Sequence, residues 1–177
     1  MTTPPVRHIY LTGFMGAGKS TVGRALGKSL GWNFLDLDPF VEERCQMSIS
    51  RIFTERGEDW FRQQEHEALA AVPSQAETVV AVGGGALVRP DNRRLMRQRG
   101  VTVWLDAPFS LILQRLGDGE RMARPLFSDE GAARALFDQR RSLYARADHV
   151  VQIRPESEPE AVAKHIVNLI EKSICAT

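Results

Sequence analysis

The stretch Gly13-Phe14-Met15-Gly16-Ala17-Gly18-Lys19-Ser20-Thr21 narrows what this chain can fold into more than any other, because it fits G-x-x-x-x-G-K-[ST]. Before it runs His8-Ile9-Tyr10-Leu11-Thr12, a short run of strand type. After it, Val22, Leu26 and Leu30 mark one face of a helix over 21–30, with Gly31 as its stop. Strand, glycine loop and helix in this order make a phosphate cradle. Glycines let successive backbone N–H groups converge on an anion, and the helix N-terminus adds partial positive charge. Gly16, Ala17, Gly18, Lys19, Ser20 and Thr21 are therefore the expected nucleotide contacts. Lys19 reaches the β- and γ-phosphates, and the Ser20 hydroxyl ligates Mg²⁺.

The rest of the chain continues the alternation. Strands are expected at 33–38, 78–82, 101–105 and 149–153, and helices at 39–44, 48–57, 58–72, 90–99, 109–116, 129–145 and 160–173. Several strands are apolar on both faces, so a parallel sheet covered by helices on each side is expected: an α/β, three-layer α/β/α fold with five strands. Ligands then gather at the carboxyl ends of the strands. With 177 residues and no internal repeat or linker, the chain reads as a single domain over 1–177.

Composition excludes several partners. A net charge of +1 gives no reason to expect nucleic acid or an acidic membrane, and no apolar run approaches the roughly 20 residues that cross a bilayer. Cys45 and Cys175 fit no metal spacing and read as free thiols of a reducing compartment, and residues 1–5 read as a loose tail without a signal-peptide core. A cytoplasmic domain is expected. The four histidines share no metal spacing, and surface or strand-edge positions suffice for them.

Four groups invite chemistry, two following strands, one on helices and one between helices. Asp36 and Asp38, two apart on an extended strand, point to the same side and call for a cation or a hydrogen-bonding ligand. The alternative is Asp38 as the cap of a helix opened by Pro39. No Asp closes the third strand, so Asp36 is the best second Mg²⁺ ligand; Asp106 is the other candidate, with Pro108 favouring a cap. Gly83-Gly84-Gly85 directly follows a buried strand and suits a wall against which a ligand lies, or a plain turn. Glu65 and Arg140 interrupt apolar helix stripes, where a charge is costly unless paired. Arg62 lies one turn from Glu65, whereas Arg140 has no carboxylate one turn away on its own face. It either joins an ion pair across helices or, with Arg62, clamps a substrate carboxylate. The arginine-rich segment 117–127 has no helical period and suits a mobile lid, or a solvated loop.

Taken in order, the glycine loop, Asp36-Leu37-Asp38, Ser48-Ile49 with Ile52-Phe53, Gly57-Glu58 with Phe61-Arg62, Gly83-Gly84-Gly85-Ala86, Arg124-Pro125-Leu126 and Arg140 with Leu143-Tyr144 resemble the shikimate kinase family over nearly the whole chain. The resemblance implies a fold like the nucleoside monophosphate kinases and ATP-dependent transfer onto the 3-hydroxyl of shikimate. It places the substrate carboxylate on Arg62 and Arg140, ring hydroxyls on Asp38 and the Gly84 backbone, and Phe53 and Phe61 along the pocket, within a substrate region of about 39–72. Asp36 holds Mg²⁺ through water beside Ser20, Arg124 is the lid cation, and Arg115 and the turn before Pro159 flank adenine. Catalysis then rests on Lys19, Asp38 and Arg124, in a chain expected to be monomeric. Gln46 stands where the family usually has glycine, and the lid is a residue or two long, which leaves Arg121 as a rival to Arg124. Two other functions compete: a small-acid kinase such as a gluconate kinase, and a nucleotide-dependent switch without chemistry. The inward Arg62 and Arg140 pair argues against the first, and the absence of N-K-x-D together with an intact acceptor pocket against the second.

Overall fold

The computed structural model describes residues 6–122 and 129–175, with side chains for 6–116 and 129–172. Five parallel strands, β1 (His8–Thr12), β2 (Asn33–Asp36), β3 (Thr78–Ala81), β4 (Gly100–Asp106) and β5 (His149–Gln152), lie in the order β2-β3-β1-β4-β5. Helices α1 (Lys19–Leu30), α2 (Leu37–Cys45), α3 (Ile49–Glu55), α4 (Glu58–Ala71), α5 (Pro90–Arg99), α6 (Phe109–Met122), α7 (Glu130–Tyr144) and α8 (Pro159–Cys175) connect and cover them, with a 3-10 turn at Ala86–Val88. The expected α/β architecture is present. Strands β1 and β3 are buried along their whole length, as strands with helices on both faces must be.

Register decides where the site forms. Leu11 pairs with Ala81, and Ala81 pairs with Asp36, so three strands end at one level. The glycine loop after β1, the triglycine after β3 and the start of α2 therefore emerge side by side. Gly13, Gly16 and Gly18 all have positive φ, at 139°, 77° and 98°, which a side chain would strain. Gly23 serves packing instead: a Cβ there would run into the Phe34 ring, so its absence brings α1 down onto β2.

Several boundaries differ from expectation, each for a local reason. Strand β2 stops at Asp36, and α2 starts at Leu37 rather than Pro39. Asp36 and Asp38 therefore do not share one side of a strand: Asp36 is the residue before the helix, and Asp38 lies in its first turn. Asp38 is not the cap. Ser48 does cap α3, its hydroxyl accepting from the Arg51 N–H at 3.3 Å, but that helix ends at Glu55. Gly57, at φ 84°, does two jobs: its N–H donates to the Ile52 carbonyl at 3.1 Å just past the end of α3, and it stands at the N-cap of α4. Helix α6 continues to Met122, so residues 117–122 are helical and not the start of an aperiodic loop. Asp106 ends β4 and accepts from Arg141 at 3.2 Å and Gln152 at 2.9 Å, which makes it an anchor for α7 and β5 rather than a cap or a metal ligand. His8 is not peripheral. It is fully buried, with its ring nitrogens 3.3 and 3.2 Å from the carbonyls of Arg99 and Pro73.

Candidate active site

A cleft of ≈ 580 Å³ opens at the carboxyl ends of the strands, and residues 16–21, Asp36, Asp38, Arg115 and Pro159 all line it. The phosphate loop is closed on itself: Lys19 Nζ donates to the carbonyls of Gly13 at 2.9 Å and Phe14 at 3.1 Å. Its ammonium thus lies across the loop mouth, where a terminal phosphate would displace carbonyl oxygens. Arg115 reaches over from α6 and donates to the Ala17 carbonyl at 3.3 Å. Ile153, Ser157 and Val162 complete the side of the cleft next to Pro159. Ser157 belongs to the turn before Pro159 that the resemblance already placed here, whereas no motif marks Ile153 or Val162; the parallel pairing of β5 with β4 brings them there.

The Ser20 hydroxyl donates to Asp36 Oδ2. A hydroxyl and a carboxylate converging beside a phosphate loop fit Mg²⁺, which favours oxygen ligands and keeps several waters. Among the described residues no group of three or more His, Cys, Asp or Glu side chains forms a metal cage. A cation here would complete its shell from water and phosphate oxygens.

The second half of the site is built on the triglycine. A Cβ on Gly83 would lie 2.6 Å from Glu65 Oε1 and 2.9 Å from Asp38 Oδ1. On Gly84 it would lie 3.3 Å from Arg140 Nη1, 3.2 Å from the Tyr144 hydroxyl and 3.5 Å from the Gly13 carbonyl. On Gly85 it would meet the Arg62 guanidinium, 2.6 Å from Cζ. The missing side chains are the reason that two carboxylates, two arginines and the phosphate loop can crowd one short segment. Arg62 and Arg140 both turn inward, Arg140 from inside its apolar stripe and Arg62 from the edge of the stripe that holds Glu65.

Charge in this pocket is unevenly satisfied. Arg62 donates to Glu65 Oε2 at 2.9 Å and to Glu58 Oε1 at 2.9 Å, and lies 5.1 Å from the Phe61 ring centre. Glu65 is fully buried, yet its Oε1 has no hydrogen-bond partner among protein atoms. Burial pushes its carboxyl above the usual range, opposed first by Arg62, and Asp38 adds to the rise. Burial likewise raises Asp38, against Lys19; Asp36 raises it further and Arg62 lowers it. The proximity of Glu65 to Asp38 had no signature, because they lie 27 positions apart in different helices, with the whole of α3 between them. Phe61 is buried and Phe53 is exposed at 39%, their ring centres 4.9 Å apart at the open side. Tyr144 OH donates to the Gly84 carbonyl at 2.6 Å, a contact foreshadowed only by a tyrosine one turn after Arg140. Arg124 lies outside the described residues, as does the Arg121 side chain.

Comparison with known proteins agrees with this geometry. The family model described as shikimate kinase matches residues 15–171. A shikimate kinase from Nostoc punctiforme is 40% identical over 166 residues, covering 92% of this chain and 90% of its own. One from Geobacter sulfurreducens is 42% identical over 159 residues, covering 89% and 88%. Among solved structures, the shikimate kinase of Acinetobacter baumannii in complex with shikimate superposes with a TM-score of 0.87 at 37% identity, over 95% of this chain and 94% of that one. A sugar kinase from Janibacter, at 18% identity and a TM-score of 0.63, shares the fold alone. A phosphate loop facing an arginine-lined triglycine, with a match over nearly the full length, leads to one conclusion: the chain belongs to the shikimate kinase family.

Proposed function

We propose that this chain transfers the γ-phosphoryl group of ATP to the 3-hydroxyl of shikimate, giving shikimate 3-phosphate and ADP on the route to chorismate and the aromatic amino acids. One observation carries the reading: the position a Cβ would occupy on Gly84 is within 3.3 Å of Arg140 Nη1 and 3.5 Å of the Gly13 carbonyl, which itself holds Lys19. Carboxylate clamp and phosphate loop therefore face one small volume.

Phosphoryl transfer runs through a loose transition state, so alignment and charge neutralisation are most of the task. Residues 16–21 hold the phosphates and Lys19 neutralises their terminal charge. Ser20 and Asp36 would hold Mg²⁺, which when bound supplies further neutralisation. Arg124 is assigned the cation over the γ-phosphate, with Arg121 as the alternative. Arg62 and Arg140 take the substrate carboxylate, the Gly83–Gly85 wall and the Phe53 and Phe61 rings bound the pocket, and Asp38 orients the attacking hydroxyl and accepts its proton late. Arg115 and Pro159 flank adenine. The substrate region spans about 39–72 and the lid about 117–127, of which 117–122 are an extension of α6. Every assigned residue comes from one chain, so a monomer suffices, and ATP supply together with the free thiol of Cys45 suits the cytoplasm.

A coupled ADP-release assay with and without shikimate tests the assignment. ADP release that depends on shikimate, and not on gluconate, is expected. Equal release without acceptor, or preference for another sugar acid, overturns it.

A further inference from the structure

We propose that Tyr144 is a positioning residue: its hydroxyl fixes the Gly84 peptide and the Arg140 guanidinium together, so that the acceptor pocket presents its arginine and its backbone in one fixed arrangement. The proposal rests on the reading of Gly84 and Arg140 as substrate contacts.

Three glycines in a row have no side chains to hold their peptide planes, and glycine accepts conformations closed to other residues. Something else must hold them. Gly83 is secured through its carbonyl, which accepts from the Ala86 N–H at 3.0 Å. The Gly84 carbonyl accepts from the Tyr144 hydroxyl at 2.6 Å, a short bond from another element. A peptide is planar and trans, so fixing the Gly84 C=O also fixes the Gly85 N–H, which points the opposite way. One phenol thereby orients two polar groups of the pocket wall.

The Arg140 guanidinium lies beside the same hydroxyl. A Cβ on Gly84 would lie 3.2 Å from the hydroxyl and 3.3 Å from Arg140 Nη1, which puts tyrosine and arginine on the same flank of that residue. Burial pushes the phenol up to about 12, while a hydrogen bond and the charge of Arg140 oppose the rise. The phenol stays protonated under all physiological conditions, so its single proton is committed to the carbonyl and its lone pairs are left to the arginine. Arg140 has no carboxylate one turn away on its own helix face; the Glu65 charge attracts it from across the pocket, and from α7 itself the tyrosine is the polar side chain beside it.

The phenol is itself rigid. Tyr144 is 1% exposed, and its ring packs 5.9 Å from that of Trp104 on β4. Arg141, the residue after Arg140, lies over the same Trp104 ring and pairs with Asp106. The end of α7 is thus bolted to the sheet, and the hydroxyl transmits that position to the wall.

Tyr144→Phe removes the oxygen and keeps the ring. Shikimate binding by calorimetry and steady-state kinetics on the full-length enzyme are the readouts, with thermal midpoint as the folding control. The expected result is a shikimate Kd and KM raised about tenfold, the size of one net hydrogen bond, with ATP KM within about twofold. Gly84→Ala in both backgrounds adds a test of coupling: the new methyl crowds the hydroxyl, so its penalty shrinks once the hydroxyl is gone. Unchanged shikimate affinity in Tyr144→Phe, or equal loss for both substrates, overturns the proposal, as does full additivity. A wild type that binds shikimate without phosphorylating it sinks the kinase assignment alone, and the Tyr144 proposal is then decided by Kd. A wild type that does not bind shikimate sinks both.

Discussion

Asp38 and Glu65 are held where burial opposes their charge, and both carboxyls are pushed above their ordinary values of 3.8 and 4.5. For an acid raised in the folded state, folding favours the protonated form. That contribution is complete below the unfolded pKa and is lost as pH rises through the folded one. The ligand-free protein is therefore expected to lose thermal stability as pH climbs from about 4 through the raised pKa values, against the usual trend for salt-bridged carboxylates. Melting curves across that range check it, and Asp38→Asn and Glu65→Gln should each flatten the slope. A slope unchanged in both variants would clear these two groups of responsibility. The proposed catalytic role pulls the other way, since a carboxyl that accepts a proton must be ionised. Asp38→Asn should cut kcat by about a hundredfold or more while leaving ATP KM near wild type.

Among the elements, the triglycine and α1 show two different uses of a missing side chain. At Gly85 a methyl would collide with the Arg62 guanidinium, which is already tied to Glu58 and Glu65 and has little room to retreat. Gly85→Ala should raise shikimate KM about tenfold or more with ATP KM unaffected, because the three atoms nearest that methyl all belong to Arg62. Equal rises in both would show that the damage is general. Gly23 faces no ligand. Its methyl would enter the Phe34 ring, so Gly23→Ala should destabilise by about 1–3 kcal/mol, the usual cost of overpacking, in urea titrations. The turn at Gln46 shows a compensation: it adopts φ 50° itself, the one non-glycine with positive φ among the described residues, and its side chain bonds the Glu43 carbonyl at 2.7 Å. The left-handed turn that ends α2 survives without glycine.

In the whole molecule, the proposed reading has nucleotide and acceptor meet in one cleft, each held by its own set of residues. Each ligand should stabilise the fold separately, by about 2.7 kcal/mol at a hundred times its Kd. Lys19→Ala should abolish most of the thermal shift caused by ATP and keep the shift caused by shikimate. Loss of both would mean that Lys19 holds the cleft open rather than binding phosphate. The separation follows from topology: β1 lies between β3 and β4, so its glycine loop is flanked by the triglycine on one side and by Asp106 on the other.

Local chemistry was enough to read the phosphate loop, the five strands and the inward arginines, because each depends on residues within one or two turns of each other. Glycines at fixed spacing, apolar runs and a charge stranded in an apolar stripe are physical statements that need no neighbour to be legible. What the chain alone left open was everything set by elements meeting: the strand order, the pairing of Asp38 with Glu65 across Gly83, the tyrosine on the Gly84 carbonyl, and Ile153 and Val162 at the cleft. Even the extended placing of Asp38 failed, because α2 begins at Leu37 and turns that carboxylate in a helix beside Lys19 and Arg62. Sequence determined which groups carry charge and which segments must be buried. Only tertiary structure decided which of those charges face one another, since that depends on sheet register and helix packing between residues far apart in the chain.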